Sequence, residues 1–451
     1  MSSTLSSALS SPRLRRIVAA YTINRLGTWI AEIALALAVY DHTHSALAVS
    51  ATLIAAQALP AFAVPPLVAK VEASRRRQEL SALYVFEAVC TLALAGILLW
   101  QFWLPAVLLL VALDGTAALT ASALLRTEAA RAGRDALAVD APDGGHAQER
   151  GALDPHVGER QATAAINVAF SVTFVLGPVL GGVITAGAGA PVALLVDALT
   201  FVACGLLLVD LHPGVEEARG ESVRARLSAA WEYVRGTPTL RAILLTQAIA
   251  FLFFAAGEPI EVAYAKATLR VGDSGFGLLV TVWGAGTVVG AAAFARAHEQ
   301  PLGALVSAGT LAAGVAYIGF AAAPSLLPAC VAALVGGVGN GIQWAPLVSA
   351  VQRLTPAQLQ GQVMGGLESI GAICPALGLA LGGALVALGS PREAFLIVGS
   401  GAAFTTVAFA SVMLSDSSGL ESGRDDRGLR GGLAASRDDS DLPAEMHAST
   451  P

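Results

Sequence analysis

Residues 167–189, NVAFSVTFVLGPVLGGVITAGAG, form an uncharged apolar run that contains Gly177, Pro178, Gly181 and Gly182. Gly177 and Gly181 are four residues apart, so a helix would present both on one face and let a second helix approach closely. Pro178 would break a helix in water, but in a membrane bundle neighbouring groups can satisfy the carbonyl that it leaves free. The run therefore predicts a packing helix of a membrane protein.

A second copy of this run, ESIGAICPALGLALGGALVALG, lies at residues 368–389. A shift of 201 residues superimposes three glycines of the first run on three of the second, namely Gly177, Gly181 and Gly182 on Gly378, Gly382 and Gly383. Two copies of one packing helix indicate a duplicated membrane protein. We expect both glycine faces, together with Pro178, to lie at the contact between the two halves.

The composition agrees with a polytopic all-α membrane protein. The chain is 55% hydrophobic and 13% charged, with a mean hydropathy of +0.66, whereas a soluble domain averages about 25% charged residues. The four cysteines lie in apolar runs without metal-ligand spacing. Because the sequence holds no P-loop, nucleophile elbow or HExxH motif, we expect no cofactor, no metal site and no enzymatic activity, and the basic clusters flank apolar spans rather than forming a nucleic-acid surface.

Twelve apolar runs are each close to the ~20 residues that a helix needs to cross a bilayer. They cover residues 17–40, 47–69, 80–100, 104–125, 162–186, 192–211, 240–264, 275–295, 302–322, 326–351, 363–388 and 395–414. These runs divide the chain into five parts: a disordered N-terminus (1–12), a first half (13–211) that contains a cytoplasmic insertion (128–159), a linker (212–239), a second half (240–414) and a disordered tail (415–451).

Basic residues fix the expected orientation. They concentrate in segments on the side of the N-terminus, whereas the loops on the opposite side hold only Lys266, Arg270 and Arg392. Positive residues prefer the cytoplasmic side. We therefore expect both termini in the cytoplasm and a monomeric protein in the cell (plasma or inner) membrane.

Charged residues inside apolar spans are costly and point to function. Arg25 and Glu32 are seven residues apart in the first span, so they share a face, about 12 Å and about 22 Å from its start. We interpret them as a substrate or proton site. The alternative is that each pairs with a neighbouring helix for structural reasons.

Asp114 lies about 15 Å into the fourth span and is followed by Gly115, which leaves room around it. An unpaired carboxylate at this depth favours taking up a proton, so Asp114 is a candidate for proton coupling or ligand binding. Its alternative is a structural salt bridge with Arg25. Glu87 lies near the middle of the third span, where the pattern gives it no role, and Asp197 is expected to be structural.

Two further groups of polar residues lie in the second half. Glu258 and Glu261 are one turn apart near the end of the seventh span, and they are either a site at the outer mouth or a hydrated interface pair. In the tenth span, Asn340 and Trp344 share a face next to Gln343. An amide beside an indole suits an amphiphilic ligand, and interhelical hydrogen bonding is the alternative.

Three stretches resemble the major facilitator superfamily. RLGTWIAEIALALAVYDHTHSALAVS (25–50) and ERQATAAINVAFSVTFVLGPVLGG (159–182) resemble a drug-efflux branch that includes enterobactin-exporter-like proteins. VQRLTPAQLQGQVMG (351–365) is similar to the QxxxPxxxxGRV signature of that branch. The resemblance covers residues 13–414. It implies a secondary carrier, often driven by protons, whose halves rock around a cavity lined by the first, fourth, seventh and tenth spans.

The sequence departs from the gating signature of that family between the second and third spans. Leu67, Val71 and Glu72 stand where the family has glycine, aspartate and arginine, and only the basic end, Arg75, Arg76 and Arg77, remains. The leading hypothesis is a proton-coupled exporter of small amphiphilic compounds. An importer is the alternative within transport, and the altered signature also motivates a transport-inactive scaffold or accessory protein.

Overall fold

The computed structural model describes residues 11–57, 60, 79–139, 155–209, 231–296, 300–356 and 359–408. The predictions for residues 1–10, for the arginines at 75–77 and for the tail at 415–451 lie outside this part. So does most of the linker, of which residues 231–236 form a short helix. The described part is helical and contains no strand.

The helices form two sets of six, which we call the first and second halves. The first half comprises α1 (Pro12–Thr43), α2 (Ala46–Gln57), α3 (Glu79–Trp100), α4 (Leu104–Val139), α5 (Pro155–Ala188) and α6 (Ala190–Leu207). The second half comprises α7 (Pro238–Ala263), which continues into a π-helical turn (Tyr264–Leu269), then α8 (Gly272–Arg296), α9 (Leu302–Ala322), α10 (Leu326–Leu354), α11 (Gln360–Leu388) and α12 (391–408).

Each of the twelve predicted spans contains one of these helices. Among the described residues, nine helices are long and apolar enough to cross a membrane, by length and composition. The predicted polytopic all-α class is therefore confirmed. Proline at the first turn starts α1, α6 and α7, where a missing N–H costs nothing. Gly189, with a φ of 88°, makes the tight turn between α5 and α6.

The predicted insertion at 128–159 is shorter than expected. Residues up to Val139 continue α4, and α5 begins at Pro155, so only residues 140–154 lie outside the described part. Ion pairs hold the part of α4 around Glu128 in place. Glu128 is 1% exposed and accepts from Arg13 of α1 and from Arg131, both at 2.8 Å. These contacts anchor the end of α4 to the start of α1.

Among the described residues, three large apolar cores divide the bundle along its length, and a small fourth cluster of Ile30, Ala34 and Ala193 lies between α1 and α6. A shared core contains residues of both halves, and its members lie near the end of the bundle where α1 passes into α2, which we call the α1–α2 end. At the opposite end, which we call the terminal end, each half has a core of its own. The first-half core includes Leu14, Leu124 and Phe201, and the second-half core includes Leu240 and Leu347. The described halves thus share a core at one end only.

Helix packing within the halves follows the duplication. Helix α1 packs on α5, and α7 packs on α11, which is the equivalent pair in the second half. Likewise α3 packs on α4, and α9 packs on α10. Contacts between the halves include α5 with α8 and α1 with α7. This arrangement places α1 and α7, which carry most of the candidate charges, next to each other between the halves.

Candidate functional site

Three carboxyl groups from the two halves meet near the α1–α2 end. Glu258 of α7 lies within electrostatic range of Glu32 of α1 and of Glu261, one turn further along α7. All three side chains retain some accessible surface although they sit inside the bundle. Oε1 of Glu32 accepts a hydrogen bond of 2.8 Å from the Gln57 amide of α2. The sequence predictions treated Glu32 separately from the two α7 residues, whereas in the structure Glu258 lies within electrostatic range of both Glu32 and Glu261.

Arg25 lies deeper along the same face of α1, among aromatic rings. Its guanidinium carbon is 5.1 Å from the ring centre of Trp29 and 5.6 Å from that of Phe170 in α5. Trp29 in turn meets Phe174 edge to face at 5.2 Å. The cation is therefore held mainly by cation–π contacts. Its Nε has no hydrogen-bond partner among the described residues, and Glu32 is within electrostatic range without touching it.

Asp114 does not pair with Arg25, which was the structural alternative. The charged groups within electrostatic range of Arg25 are Glu32 and Arg126. Asp114 instead interacts with Glu87 of α3 and Asp197 of α6, inside the first half. The correction has a simple cause, because the depth of a residue in a span does not tell which face of the helix carries it. On α4, the neighbouring Gly115 faces Ala56 of α2 and Pro60, whereas Asp114 accepts a hydrogen bond from Thr91 of α3 and lies within electrostatic range of Asp197 of α6.

The polar residues of α10 contribute to a cavity within the second half. Its volume is about 70 Å³, and both Asn340 and Gln343 line it. Gln343 donates a 3.0 Å hydrogen bond to Gln247 of α7. The remaining lining residues are apolar, aromatic or hydroxyl-bearing: Ala250, Phe251, Phe254, Thr310, Ala313, Tyr317 and Ala402. The third predicted member, Trp344, has a side chain outside the described part.

The lining of this cavity is uncharged, but Glu258 and Glu261 lie close to one end of it. The ring of Tyr317 in α9 lies within electrostatic range of both carboxyl groups. The Tyr317 hydroxyl donates a 3.2 Å hydrogen bond to the carbonyl of Phe254 in α7. Gly257 faces this ring, so only a residue without a side chain lets Tyr317 approach α7 so closely. Tyr317 thus connects the cavity with the carboxyl groups of α7.

Four of the predicted inter-half glycines pack inside their own half, which corrects the sequence prediction. Gly177 faces Trp29 of α1, and Gly181 faces Ile30 and Ile33 of the same helix. In the second half, Gly378 and Gly382 face α7 in the equivalent way. The spacing of four residues shows which residues share a face, but it does not show which neighbour that face meets. Pro178 is buried next to this contact.

The remaining glycine of each run lies between the halves. A methyl group added to Gly182 of α5 would lie 2.5 Å from the Cα atom of Gly277 in α8. Gly383 of α11 faces Ser50 and Ala46 of α2. In each glycine run, the two glycines that are four residues apart pack against the first helix of the same half. The glycine that follows the second of them packs against the other half.

One functional candidate was missed in the sequence. Lys266, on the π-helical turn after α7, forms ion pairs with Asp41 at the end of α1 and with Asp273 at the start of α8. Its Nζ lies 2.8 Å and 2.9 Å from the two Asp41 carboxylate oxygens. The signal was present, because Lys266 is one of only two lysines in the chain. The ion pair with Asp41 crosses from one half to the other at the α1–α2 end.

Comparison with known proteins supports the arrangement of helices. Among solved structures, the nucleoside transporter NupG matches with a TM-score of 0.66 and 11% identity, over 90% of this chain and 99% of that chain. A POT family transporter in complex with a thioalcohol-conjugated peptide matches with 0.63 and 13%, over 91% and 100%. A bacterial homologue of the iron transporter ferroportin, in an inward-facing state, matches with 0.62 and 15%, over 90% and 98%. At these identities the likeness shows the fold alone.

No curated protein matches the chain at the level of sequence. A family model described as "Transmembrane secretion effector" matches residues 154–414, which is more than half of the chain. This match begins at the start of α5 and runs to the end of the last predicted span. The chain therefore belongs to the transmembrane secretion effector family, and it is a multi-pass membrane transporter of the major facilitator superfamily.

Proposed function

We propose that the protein is a secondary-active exporter of small amphiphilic compounds, driven by proton influx and working by alternating access. It would act as a monomer in the plasma (inner) membrane. The bias of basic residues toward the N-terminal side supports cytoplasmic termini. With that orientation, the terminal end of the bundle is the cytoplasmic end, and the α1–α2 end faces outward.

The three apolar cores support alternating access. The halves share a core at the outer end and have separate cores at the cytoplasmic end, as expected of a carrier that is closed outside and open inside. The ion pair of Lys266 with Asp41 and the contact of Gly182 with Gly277 both lie on the closed side. The ferroportin homologue with a similar fold is also described as inward-facing.

The observation that carries the proposed proton coupling is that Glu258 of the second half lies within electrostatic range of Glu32 of the first half and of Glu261. When the outer end closes, these like charges are brought near one another inside the bundle with only part of their surface accessible, which is unfavourable unless some of them bind protons. When the outer end opens, they separate and are hydrated. Closure of the outer end therefore favours proton uptake, and this links the conformational cycle to the proton gradient.

The cavity in the second half, at about 70 Å³, is smaller than the ~300–1,000 Å³ of a ligand pocket, so in this state it indicates only the polarity of the surface that a substrate would meet. Amides of Gln247, Asn340 and Gln343 offer donors and acceptors, and the rings of Phe251 and Phe254 offer apolar contact. Such a lining suits a compound that combines polar groups with an apolar body. Because the lining carries no formal charge, we propose that the part of the substrate bound here is uncharged.

The test uses purified protein in proteoliposomes. A tag on the C-terminal tail selects the proteoliposomes in which the tail side of the protein faces the bath. A panel of cationic, anionic and uncharged amphiphiles is added with an acidic, neutral or alkaline lumen. An exporter driven by proton influx accumulates its substrate in the acidic lumen. A proton-coupled importer gives the opposite sign, with an acidic lumen driving efflux. A scaffold gives neither gradient-driven movement nor exchange of any compound, and either result would overturn the proposal.

Variants of the carboxyl groups separate coupling from binding. Glu258→Gln and Glu261→Gln keep the shape of the side chains but cannot release a proton. We expect them to abolish gradient-driven accumulation while substrate exchange at equal pH continues. Glu393→Gln is the matched control, because Glu393 is an exposed carboxylate at the same end that bonds only to Ser390 in the described contacts. It should behave as the native protein.

A further inference from the structure

A second group of acidic side chains lies in the first half, away from the carboxyl groups between the halves. It consists of Glu87 in α3, Asp114 in α4 and Asp197 in α6. Glu87 is 0% exposed and Asp197 is 2% exposed. Glu87 is within electrostatic range of both aspartates, and Asp197 is within range of Asp114. All three lie in the interior of apolar spans.

Glu87 has no hydrogen-bond partner at either carboxylate oxygen among the described residues. One oxygen of Asp114, the hydroxyl of Tyr84 and the amide oxygen of Asn24 are also buried without a partner. Two hydroxyl groups do donate to this group, because Asp114 accepts a hydrogen bond from Thr91 of α3 and Asp197 accepts one of 3.2 Å from Thr200. Among the described residues, both Glu87 oxygens are therefore buried without a hydrogen-bond partner, and the unpartnered Tyr84 hydroxyl nearby can act as either donor or acceptor.

The groups that face Glu87 offer no positive charge. From α4 this is Asp114, and from α6 it is Asp197 together with the Cys204 thiol, while α3 itself adds Tyr84 and Cys90. An ionised carboxylate transferred to such a place loses hydration worth several kcal/mol, and nearby like charges add to the cost. Something positive must therefore compensate Glu87.

The geometry favours protons over a metal ion as the compensating charge. In the part of the chain that the structure describes, no group of three acidic, histidine or cysteine side chains is arranged to hold a metal. The carboxyl groups are near enough to repel but do not converge on one point. A proton needs only one oxygen, and a protonated carboxyl group can donate to an unpartnered acceptor nearby.

We propose that Glu87 carries a proton and forms, with Asp197 and Asp114, a proton-binding site inside the first half. Asp114 retains accessible surface and is the group through which this site exchanges with solvent. In that exchange the Glu87 carboxyl gives its proton to the Asp114 carboxylate, which passes it to water. The site is separate from the inter-half carboxyl groups, and it does not depend on the identity of any transported compound.

The test is infrared spectroscopy of the full-length protein in lipid nanodiscs, with no ligand added. A protonated carboxyl group has a C=O stretch that an ionised carboxylate lacks. We expect the native protein to show this band at neutral pH, and Glu87→Gln to lose one carboxyl equivalent of it. The control Glu232→Gln, an exposed carboxylate before α7, should keep the whole band. An unchanged band in Glu87→Gln would overturn the proposal.

Two further measurements test the route of proton exchange and whether the bound cation is a proton. Asp114→Asn should keep the Glu87 band but slow its loss after a jump to alkaline pH, and an unchanged rate would remove Asp114 from the exchange route. Replacing choline chloride by sodium chloride should leave the native band unaltered. A band that disappears on adding sodium would mean that a metal cation, not a proton, occupies the site. Failure of Glu87→Gln to fold would also contradict the proposal, because glutamine reproduces the neutral form.

Discussion

Nζ of Lys266 lies 2.8 Å from Oδ1 of Asp41, and this contact joins the turn after α7 to the last turn of α1. It is a direct charged link between the two halves at the end where they share a core. Asp273, from the same half as Lys266, completes a group of three charges. Because both carboxylates depend on one lysine, the loss of that lysine removes the link and leaves two negative charges facing each other.

Lys266→Ala should therefore shift the protein toward the state that is open at the α1–α2 end. Partly exposed ion pairs contribute about 1 kcal/mol at most, which corresponds to roughly a fivefold change in population. Spin labels at His44→Cys and Ser274→Cys, two exposed sites on opposite halves, report the distance in a background without the native cysteines. Asp41→Ala should give a similar shift, and Lys266→Ala should add little to it. Two independent, additive shifts would contradict a direct link.

Gly182→Ala should hinder closure rather than folding. The added methyl group meets the Cα atom of Gly277 across the halves, so it separates α5 from α8. The same spin-label pair should report a larger population with the α1–α2 end open. Gly187→Ala is the matched control in the same helix, because a methyl group there meets nothing within 4 Å. If both variants gave the same distance distribution, Gly182 would have no part in closure.

Arg25 and Asp114 should contribute independently to stability. Their electrostatic neighbours differ, since Arg25 faces Glu32 whereas Asp114 faces Glu87 and Asp197. In thermal unfolding, the effects of Arg25→Gln and Asp114→Asn should add within about 0.5 kcal/mol. The cycle of Arg25→Gln with Glu32→Gln should instead show a coupling above that value. If Asp114→Asn regained the stability lost in Arg25→Gln, this prediction would be wrong. The result would favour the salt bridge between Arg25 and Asp114 that the sequence offered as an alternative.

Gln343→Leu should destabilise the second half more than its double variant with Gln247. Both amides are buried, at 9% and 3% exposure, and they bond to each other. Removing one leaves the other unpaired, at a cost of about 1–3 kcal/mol. Gln247→Leu/Gln343→Leu removes both partners and should recover part of the unfolding temperature. An equal or greater loss in the double variant would show that the amides do not act as a pair.

The orientation predicts opposite sidedness for two reporter fusions. A reporter placed after Thr43, at the α1–α2 end, should be active outside, and one on the C-terminal tail should be active in the cytoplasm. Enzymatic reporters that fold on only one side of the membrane make this measurement. Activity of both on the same side would reject an even number of crossings.

The sequence predicted where the helices lie because a span must be long, apolar and free of clustered charge, and nine of the described helices meet the length and composition for crossing a membrane. The duplication was equally visible, since the glycines at 177 and 378 stand in matching contexts. The sequence could not show which neighbouring helix each residue faces around its helix axis. Gly181 and Gly182 are adjacent in the chain, yet one faces α1 and the other faces α8. A shift of about 100° around a helix, which is one residue, changes the partner entirely.

The same limit applies to the candidate site. Glu32 and Glu258 were each recognised as costly inside a span, but their proximity depends on how α1 meets α7. Asp114 was assigned to the central cavity because its helix lines that cavity in similar proteins, whereas its side chain points into the first half. Lys266 was read as a loop residue, since only the fold brings Asp41 beside it.

The three apolar cores also bear on how the protein is made. The first-half core draws on α1, α3, α4, α5 and α6 alone, so it can form once α6 has left the ribosome and before α7 has been synthesised. The shared core needs residues as late as Phe395 and Val398 of α12, and it can be completed only after translation has nearly finished. The last part of the molecule to assemble is thus the part that the proposed transport cycle would repeatedly separate.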